Sequence, residues 1–505
     1  MERRIRRVGI FLILCFVAIF IQLNNIQVIK ANSLANNGEN PAVQQVARTQ
    51  PRGSILTGDG ILIASSVPTD KGAYKYQRVY NPDTAPLFSQ IVGFNSHIYG
   101  LTGVEAWYNS NLQSHTRAAH SLGDLLVNRT TTDDVYLTIN SQMQLKVAAA
   151  VDATNASGNA PQAAAVVMNV KTGAIEAMYG NPTYGLATLQ GLASPDSNVE
   201  RFTYASLNPS SASSPLVSRA FQYGFLPGST FKVVTTAAVY DHNPALANVN
   251  FPTQTCIPLP QSDKQLCNYG HNGPNGPEPC GGTIQQTLPA SCDTAFAQLG
   301  MGLGAVPLNS EAQAFGFNQL IPIDLPIASN QISNFPTVAQ LINNKPSQAY
   351  SAFGQQDVDA TALQMCLVAA GIANQGVIMT PHVMSSIRDS QGRLVETYTP
   401  KPWLTATSPL TASAVTTLMQ AVVTGGTASK VGFPASWNVA AKTGTAETGP
   451  NATLTNDWMI AFAPANDPKV AVAVVVPNQP GSDTGAEVSG PPMKTILGDA
   501  LAATP

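Results

Sequence analysis

Ser229 and Lys232 stand three residues apart in Leu226-Pro227-Gly228-Ser229-Thr230-Phe231-Lys232-Val233-Val234, behind a Pro-Gly pair and ahead of an apolar, Ala-rich run. Pro and Gly before such a run mark a helix start. The spacing therefore predicts Ser229 in the first turn, with Lys232 one turn further along the same face. Free backbone N–H groups and the helix dipole favour negative charge there. A buried lysine has a lowered pKa, and as a free amine it can take the proton of a serine hydroxyl, which is the opening step of covalent acyl transfer. Alone, the segment reads more readily as a capping serine with a solvated lysine, and on the order of one or two Ser-x-x-Lys matches arise by chance in a chain of this length.

Two later segments change that balance. Ser291-Cys292-Asp293 precedes a helical pattern from Asp293 to Leu303, where a serine by itself would be a cap. Lys442-Thr443-Gly444-Thr445 follows Val439-Ala440-Ala441 and reads as a strand edging a cleft, offering a cation and a hydroxyl to a carboxylate, with Gly444 leaving the backbone open to substrate. An upstream Lys171-Thr172-Gly173 falls on a turn and reads as structural.

The order and spacing of the three segments resemble the active site of the penicillin-binding transpeptidases and serine β-lactamases. Gly425-Gly426-Thr427-Ala428 and Asp457-Trp458-Met459-Ile460-Ala461-Phe462 extend the resemblance, as do Pro51 to Thr57 and Gly100 to Glu105, which are similar to short boxes of the class B N-terminal pedestal. The resemblance implies Ser229 as nucleophile, Lys232 as base, Ser291 as proton shuttle to the leaving amine and Lys442 as the strand cation. It further implies Asp293, Thr443, Gly444 and Thr445 as substrate-binding positions, with an oxyanion hole from the N–H groups of Ser229 and Thr445. The family usually has Asn where this chain has Asp293. An ionised Asp can only accept hydrogen bonds, and it could pair with Lys232 or Lys442 and raise that lysine's pKa.

These residues need a scaffold. Strand patterns at 135–139, 164–169, 174–179, 437–442, 457–463 and 470–476 lie toward both ends of the extracytoplasmic part, and helical patterns at 142–152, 293–303, 361–374 and 492–502 lie between or after them. A helical stretch is also expected after Glu105, through Leu112. Ala205–Pro215 and the Gly/Pro-dense Tyr269–Gly282 read as loops. Strands drawn from distant segments predict an α/β (α+β) sandwich around one antiparallel sheet covered by helices. The resemblance adds an all-helical subdomain and a small mixed pedestal domain. The expected organisation is a tail at 1–7, a transmembrane signal anchor at 8–24, the pedestal or dimerisation-like domain at 25–155 and the transpeptidase domain at 156–505.

Arg3, Arg4, Arg6 and Arg7 precede an uninterrupted apolar run from Val8 to Ile21. The run suits an uncleaved anchor with its basic end in the cytoplasm, although Ala31-Asn32-Ser33 offers a weak cleavage context. Everything after about Asn24 then lies outside the membrane. Charged residues make up 11% of the chain, against ~25% in an average protein, and no basic stripe invites nucleic acid. Of six cysteines, Cys256, Cys267, Cys280 and Cys292 cluster at spacings that match no zinc pattern and suit structural disulfides. Nearest-neighbour pairing is the simplest of three connectivities, and Cys366 reads as a buried thiol.

By resemblance the chain is a short class B enzyme of the PbpA type. It would be a peptidoglycan D,D-transpeptidase that cross-links stem peptides on lipid-linked precursor polymer without a cofactor and is acylated by β-lactams. Its glycan strands would come from a SEDS-family glycosyltransferase, alongside division or elongation proteins. A D,D-carboxypeptidase and a catalytically weak scaffold are the rival readings; a covalent penicillin label separates the scaffold from the two enzymes.

Overall fold

The computed structural model describes residues 2–30, 49–70, 74–116, 130–154, 162–269, 277–449 and 453–503. The Ala31-Asn32-Ser33 segment, the linker up to Pro161 and positions 270–276 of the expected Tyr269–Gly282 loop lie outside them.

Five strands form the central sheet: β1 (Ala164–Asn169), β2 (Ile175–Gly180), β3 (Ala440–Thr448), β4 (Leu454–Ala463) and β5 (Val470–Pro480). Their order is β2-β1-β5-β4-β3 and every pair is antiparallel. The helices that matter to the site are α1 (Glu2–Asn24), α2 (Ser141–Thr154), α3 (Lys232–His242), α4 (Asp293–Leu303), α5 (Ala362–Ala373) and α6 (Gly490–Ala503). The near-continuous apolar sequence of β5 is buried on both faces because helices cover both. Ala471, Ala473 and Val475 join the core shared with α5, while Val472, Val474 and Val476 join the core shared with α2 and α6. Every residue of α5 is buried, as its all-round apolar sequence requires.

A second sheet of six strands runs Leu394–Thr397, Met384–Asp389, Asp133–Leu137, Ile55–Leu56, Leu62–Pro68, Tyr76–Tyr80. Ion pairs beside it join the two boxes read from the sequence. Arg52 Nε and Arg78 Nε each donate to the Glu105 carboxylate at 2.6 Å. Burial opposes charge on Glu105, but Arg78 and Arg52 outweigh it and hold its pKa below the ordinary value.

Three local expectations differ from the structure. The strand expected at 437–442 begins only at Ala440 and continues through the Lys-Thr-Gly segment to Thr448. Ala435–Trp437 is a 3-10 turn and Asn438 is left-handed (φ 46°), which breaks the extended chain. The helical stretch through Leu112 is two short helices, Gly103–Trp107 and Asn109–Leu112, parted at Tyr108, whose hydroxyl reaches Asp324 Oδ2 at 2.6 Å. Packing also crosses the expected boundary at 155/156. Helix α2 lies on the central sheet with α6, and the hairpin Met384–Thr397 completes the pedestal sheet. Helix α1 belongs to an apolar helical segment, Arg6–Gln27, long enough to cross a membrane.

Candidate active site

The sheet order leaves β3 with a strand neighbour on one side only, and a cavity of about 630 Å³ opens along it. Ser229, Ser291, Thr427, Thr443 and Thr445 line that cavity. Ser229 sits in a 3-10 turn, Gly228–Phe231, that runs directly into α3, so the expected helix start is present in a tighter form. The turn is fixed from several sides. Gly228 N–H donates to Gly354 O at 2.9 Å, Thr230 Oγ1 donates to Pro227 O at 2.7 Å, and Trp458 Nε1 of β4 donates to Leu226 O at 2.8 Å. Phe231 stacks on Phe335 and meets Phe317 edge-on, with centroids 5.2 and 5.3 Å away.

Ser291 occupies the end of the loop before α4 with φ 60°, a left-handed conformation uncommon for a residue with a Cβ. Both of its oxygens are used: Lys232 Nζ donates to Ser291 O at 2.6 Å, and Lys442 Nζ donates to Ser291 Oγ at 2.8 Å. Two lysines thus meet at one serine. Cys292 beside it is disulfide-bonded to Cys280, and Cys256 is bonded to Cys267. Non-reducing peptide mapping of the protein is expected to recover these two linked pairs with Cys366 free; a free thiol at Cys280 or Cys292 would remove the covalent hold on the Ser291 turn.

Asp293 opens α4 and takes one of the two lysines that the sequence left open. Its Oδ1 accepts from Lys232 Nζ at 2.7 Å, and its Oδ2 accepts from Tyr269 N at 3.0 Å. Lys232 is fully buried, with Phe296 and Phe353 rings 5.3 and 5.8 Å from the ammonium. Burial lowers its pKa, and Asp293 opposes that shift. Lys442, also fully buried, is pushed well below its ordinary value by burial and then by the charge of Lys232, with Asp293 again opposing. Lys442 is turned inward: Nζ also donates to Thr443 O at 2.9 Å. Thr443 and Thr445 of this strand line the cavity, whereas the cation expected to meet a carboxylate is bonded to Ser291 and the strand backbone.

Gly444 has a packing reason that the sequence did not show. A Cβ there would meet Pro227 O at 2.8 Å and Thr230 Cγ2 at 2.9 Å, so glycine lets β3 press against the Ser229 turn. This close approach holds the third motif on the first.

Four residues escaped the sequence reading. Asn268 holds the start of α4, its Oδ1 accepting from Thr294 N at 3.0 Å and its Nδ2 donating to Glu278 O at 2.8 Å. Tyr269 walls the cavity and ties it to the 481–483 turn through its hydroxyl, which donates to Gly481 O at 3.1 Å. Thr427 meets Thr443, Oγ1 to Oγ1. Asp457 lies buried on β4 opposite Thr445. Asn268 and Tyr269 stand more than twenty residues before Ser291 with no pattern to mark them. Thr427 and Asp457 fall in segments that resemble the family's context, and that context was the available signal.

Comparison with known proteins agrees with this geometry. Residues 163–498 match the model of the penicillin binding protein transpeptidase domain, and residues 52–133 match the penicillin binding protein A dimerisation domain. The chain is 34% identical to the peptidoglycan D,D-transpeptidase PbpA of Mycolicibacterium smegmatis, covering 99% of each chain, and 34% identical to PbpA of Mycobacterium tuberculosis over the full length of both. It is similar in structure to PBPA from M. tuberculosis, with a TM-score of 0.76 at 33% identity over 90% of this chain and 99% of that one. The penicillin G acyl-enzyme complex of the same M. tuberculosis protein has a TM-score of 0.76 at 34% identity, over 90% of this chain and 100% of that one. With the ordered motifs gathered at one edge strand and the match running through both domains, the chain belongs to the penicillin-binding protein transpeptidase family.

Proposed function

We propose that this protein is a peptidoglycan D,D-transpeptidase acting through an acyl-enzyme on Ser229. The observation that carries the reading is the convergence of two buried lysines on Ser291, beside Ser229 in one cavity. Lys232, as the free amine, takes the Ser229 proton while Oγ attacks the carbonyl of the penultimate D-alanine in a stem peptide ending D-Ala-D-Ala. The N–H groups of Ser229 and Thr445 hold the oxyanion. As the tetrahedral intermediate collapses, the bond to the terminal D-alanine breaks, and Ser291, held by Lys442, passes its proton to the leaving amine while Lys232, 3.4 Å from Ser291 Oγ, returns to Ser291 the proton taken from Ser229. An amine of a neighbouring peptide then attacks the ester and gives a proton to Lys232, which passes it to Ser229 Oγ as the ester bond breaks, so the cross-link forms and Ser229 is restored. Thr443 and Thr445 offer hydroxyl protons to the substrate's terminal carboxylate.

A β-lactam carries a strained amide and a carboxylate in the same relation, so it enters the first half of this cycle. Acyl transfer joins peptides and polymerises no glycan. The strands must come from a partner, and the resemblance points to a SEDS-family glycosyltransferase, with division or elongation proteins beside it. We further propose that α1 anchors the chain in the cell membrane with the cavity on the extracytoplasmic side, in keeping with the arginines ahead of the apolar run.

Fluorescent penicillin followed by peptide mass mapping tests the reading. One adduct on the Ser229 peptide is expected, and an adduct on another serine rejects the assignment. Supplying a D-Ala-D-Ala donor with an amine acceptor then separates cross-linked product from hydrolysed tetrapeptide; hydrolysis alone would favour a carboxypeptidase.

A further inference from the structure

Asp457 is a buried carboxyl one strand behind the cavity. It lies in direct register with Thr445, on the strand paired with β3. Thr455 Oγ1 donates to its Oδ2 at 3.2 Å, whereas its Oδ1, sealed from solvent, meets no hydrogen-bond partner among the described residues. Burial pushes this carboxyl up to about 7; the Thr455 and Thr445 hydroxyls oppose the shift, and the carboxylates of Asp483 and Glu487 add to it. The Tyr269 phenol also lies close enough to feel its charge.

Thr445 has one hydroxyl proton to give. Its Oγ1 already accepts the Gly485 N–H at 3.0 Å, so that proton is its only means of holding an anion in the cavity. An ionised Asp457 leaves a buried acceptor without a donor and draws the proton inward. A neutral Asp457 is itself a donor and leaves the Thr445 proton free to point outward.

We propose that Asp457 is a positioning residue that sets the direction of the Thr445 hydroxyl, and thereby how tightly the cavity holds the carboxylate of a stem peptide or a β-lactam. This rests on the reading of Ser229 and Thr445 given above. Coupling is reciprocal: a bound carboxylate, accepting from Thr445, favours the protonated form of Asp457.

The test uses the full chain and saturating stopped-flow acylation by a penicillin, which resolves the dissociation constant of the initial complex from the acylation rate constant. From about pH 6 to about pH 8 the dissociation constant should weaken roughly tenfold, the loss expected for one hydrogen bond to a charged group. Asp457→Asn, whose amide donates at every pH, should hold it at the low-pH value, while the acylation rate constant keeps the pH dependence set by the lysines. Thr445→Val should bind weakly at all pH, and adding Asp457→Asn to it should change nothing. A pH-dependent dissociation constant that survives in Asp457→Asn or in Thr445→Val overturns the proposal, as does an equal effect of Asp457→Asn with and without the Thr445 hydroxyl. The Thr445→Val arm decides alone if Asp457→Asn does not fold. Absence of any adduct on Ser229 at any pH would instead defeat the acyl-enzyme reading.

Discussion

A Ser229→Ala variant should take up no covalent β-lactam, and Lys232→Ala should lower the acylation rate by about 10²- to 10⁴-fold, the usual worth of a positioned general base. The two losses differ in kind. Removing Oγ removes the atom that forms the bond, whereas removing the amine leaves a nucleophile that must lose its proton to water. Lys232→Ala also strips Asp293 of a partner at 2.7 Å. The carboxylate keeps the Tyr269 N–H and is slightly open to the cavity, its side chain 11% exposed, so the fold should survive with a lowered melting temperature. Comparing Lys232→Ala with Lys232→Ala/Asp293→Asn separates stability from catalysis: the second substitution should restore melting temperature and leave acylation low. Intact-protein mass spectra read the adduct, and thermal melts read the fold. Recovery of acylation in the double variant would assign the base to another group.

Asp293→Asn should move the pH profile of acylation to lower pH and leave acylation at pH 7 equal or faster. Lys232 is buried, which favours the neutral amine, and Asp293 favours the charged ammonium. Neutralising residue 293 removes only the second influence, so the pKa of Lys232 falls. The free amine is the active form, present above that pKa and lost as pH falls through it. Each pKa unit of downward movement therefore gives up to tenfold more active enzyme on the acid side of the profile. Lys442 moves in the same direction, because Asp293 raises its pKa as well. Rates of penicillin acylation measured against pH for the two proteins check this; an unchanged profile would mean that the Asp293 carboxylate carries no charge in the resting protein and that the coupling must be dropped.

Much of the site was legible before any fold. The Ser229/Lys232 spacing, the order of the three segments and the Pro-Gly helix start are local, and a one-turn separation fixes which face two side chains share. The hairpin Ala164–Asn169 and Ile175–Gly180, the helix Asp293–Leu303 and the buried run from Val470 also followed from periodicity and turn residues, because each is decided within about ten residues. The strand at 437–442 did not follow. Its start is set by left-handed Asn438 and its end by pairing with β4, and neither is visible in a hydrophobic pattern.

Sequence by itself therefore singled out Ser229, the two lysines, the class of chemistry and the kind of sheet. Tertiary structure decided how they are coupled: that Asp293 pairs with Lys232, that Lys442 turns inward to Ser291, that Gly444 serves the contact between β3 and the Ser229 turn, and that Asp457 stands behind Thr445. The division has one physical cause. Residue type and short spacing fix what a group can do and which local face it occupies. Hydrogen bonding and pKa depend on neighbours within a few ångströms, and in this protein those neighbours are brought from 61 residues away for Lys232 and Asp293 and from 151 for Ser291 and Lys442.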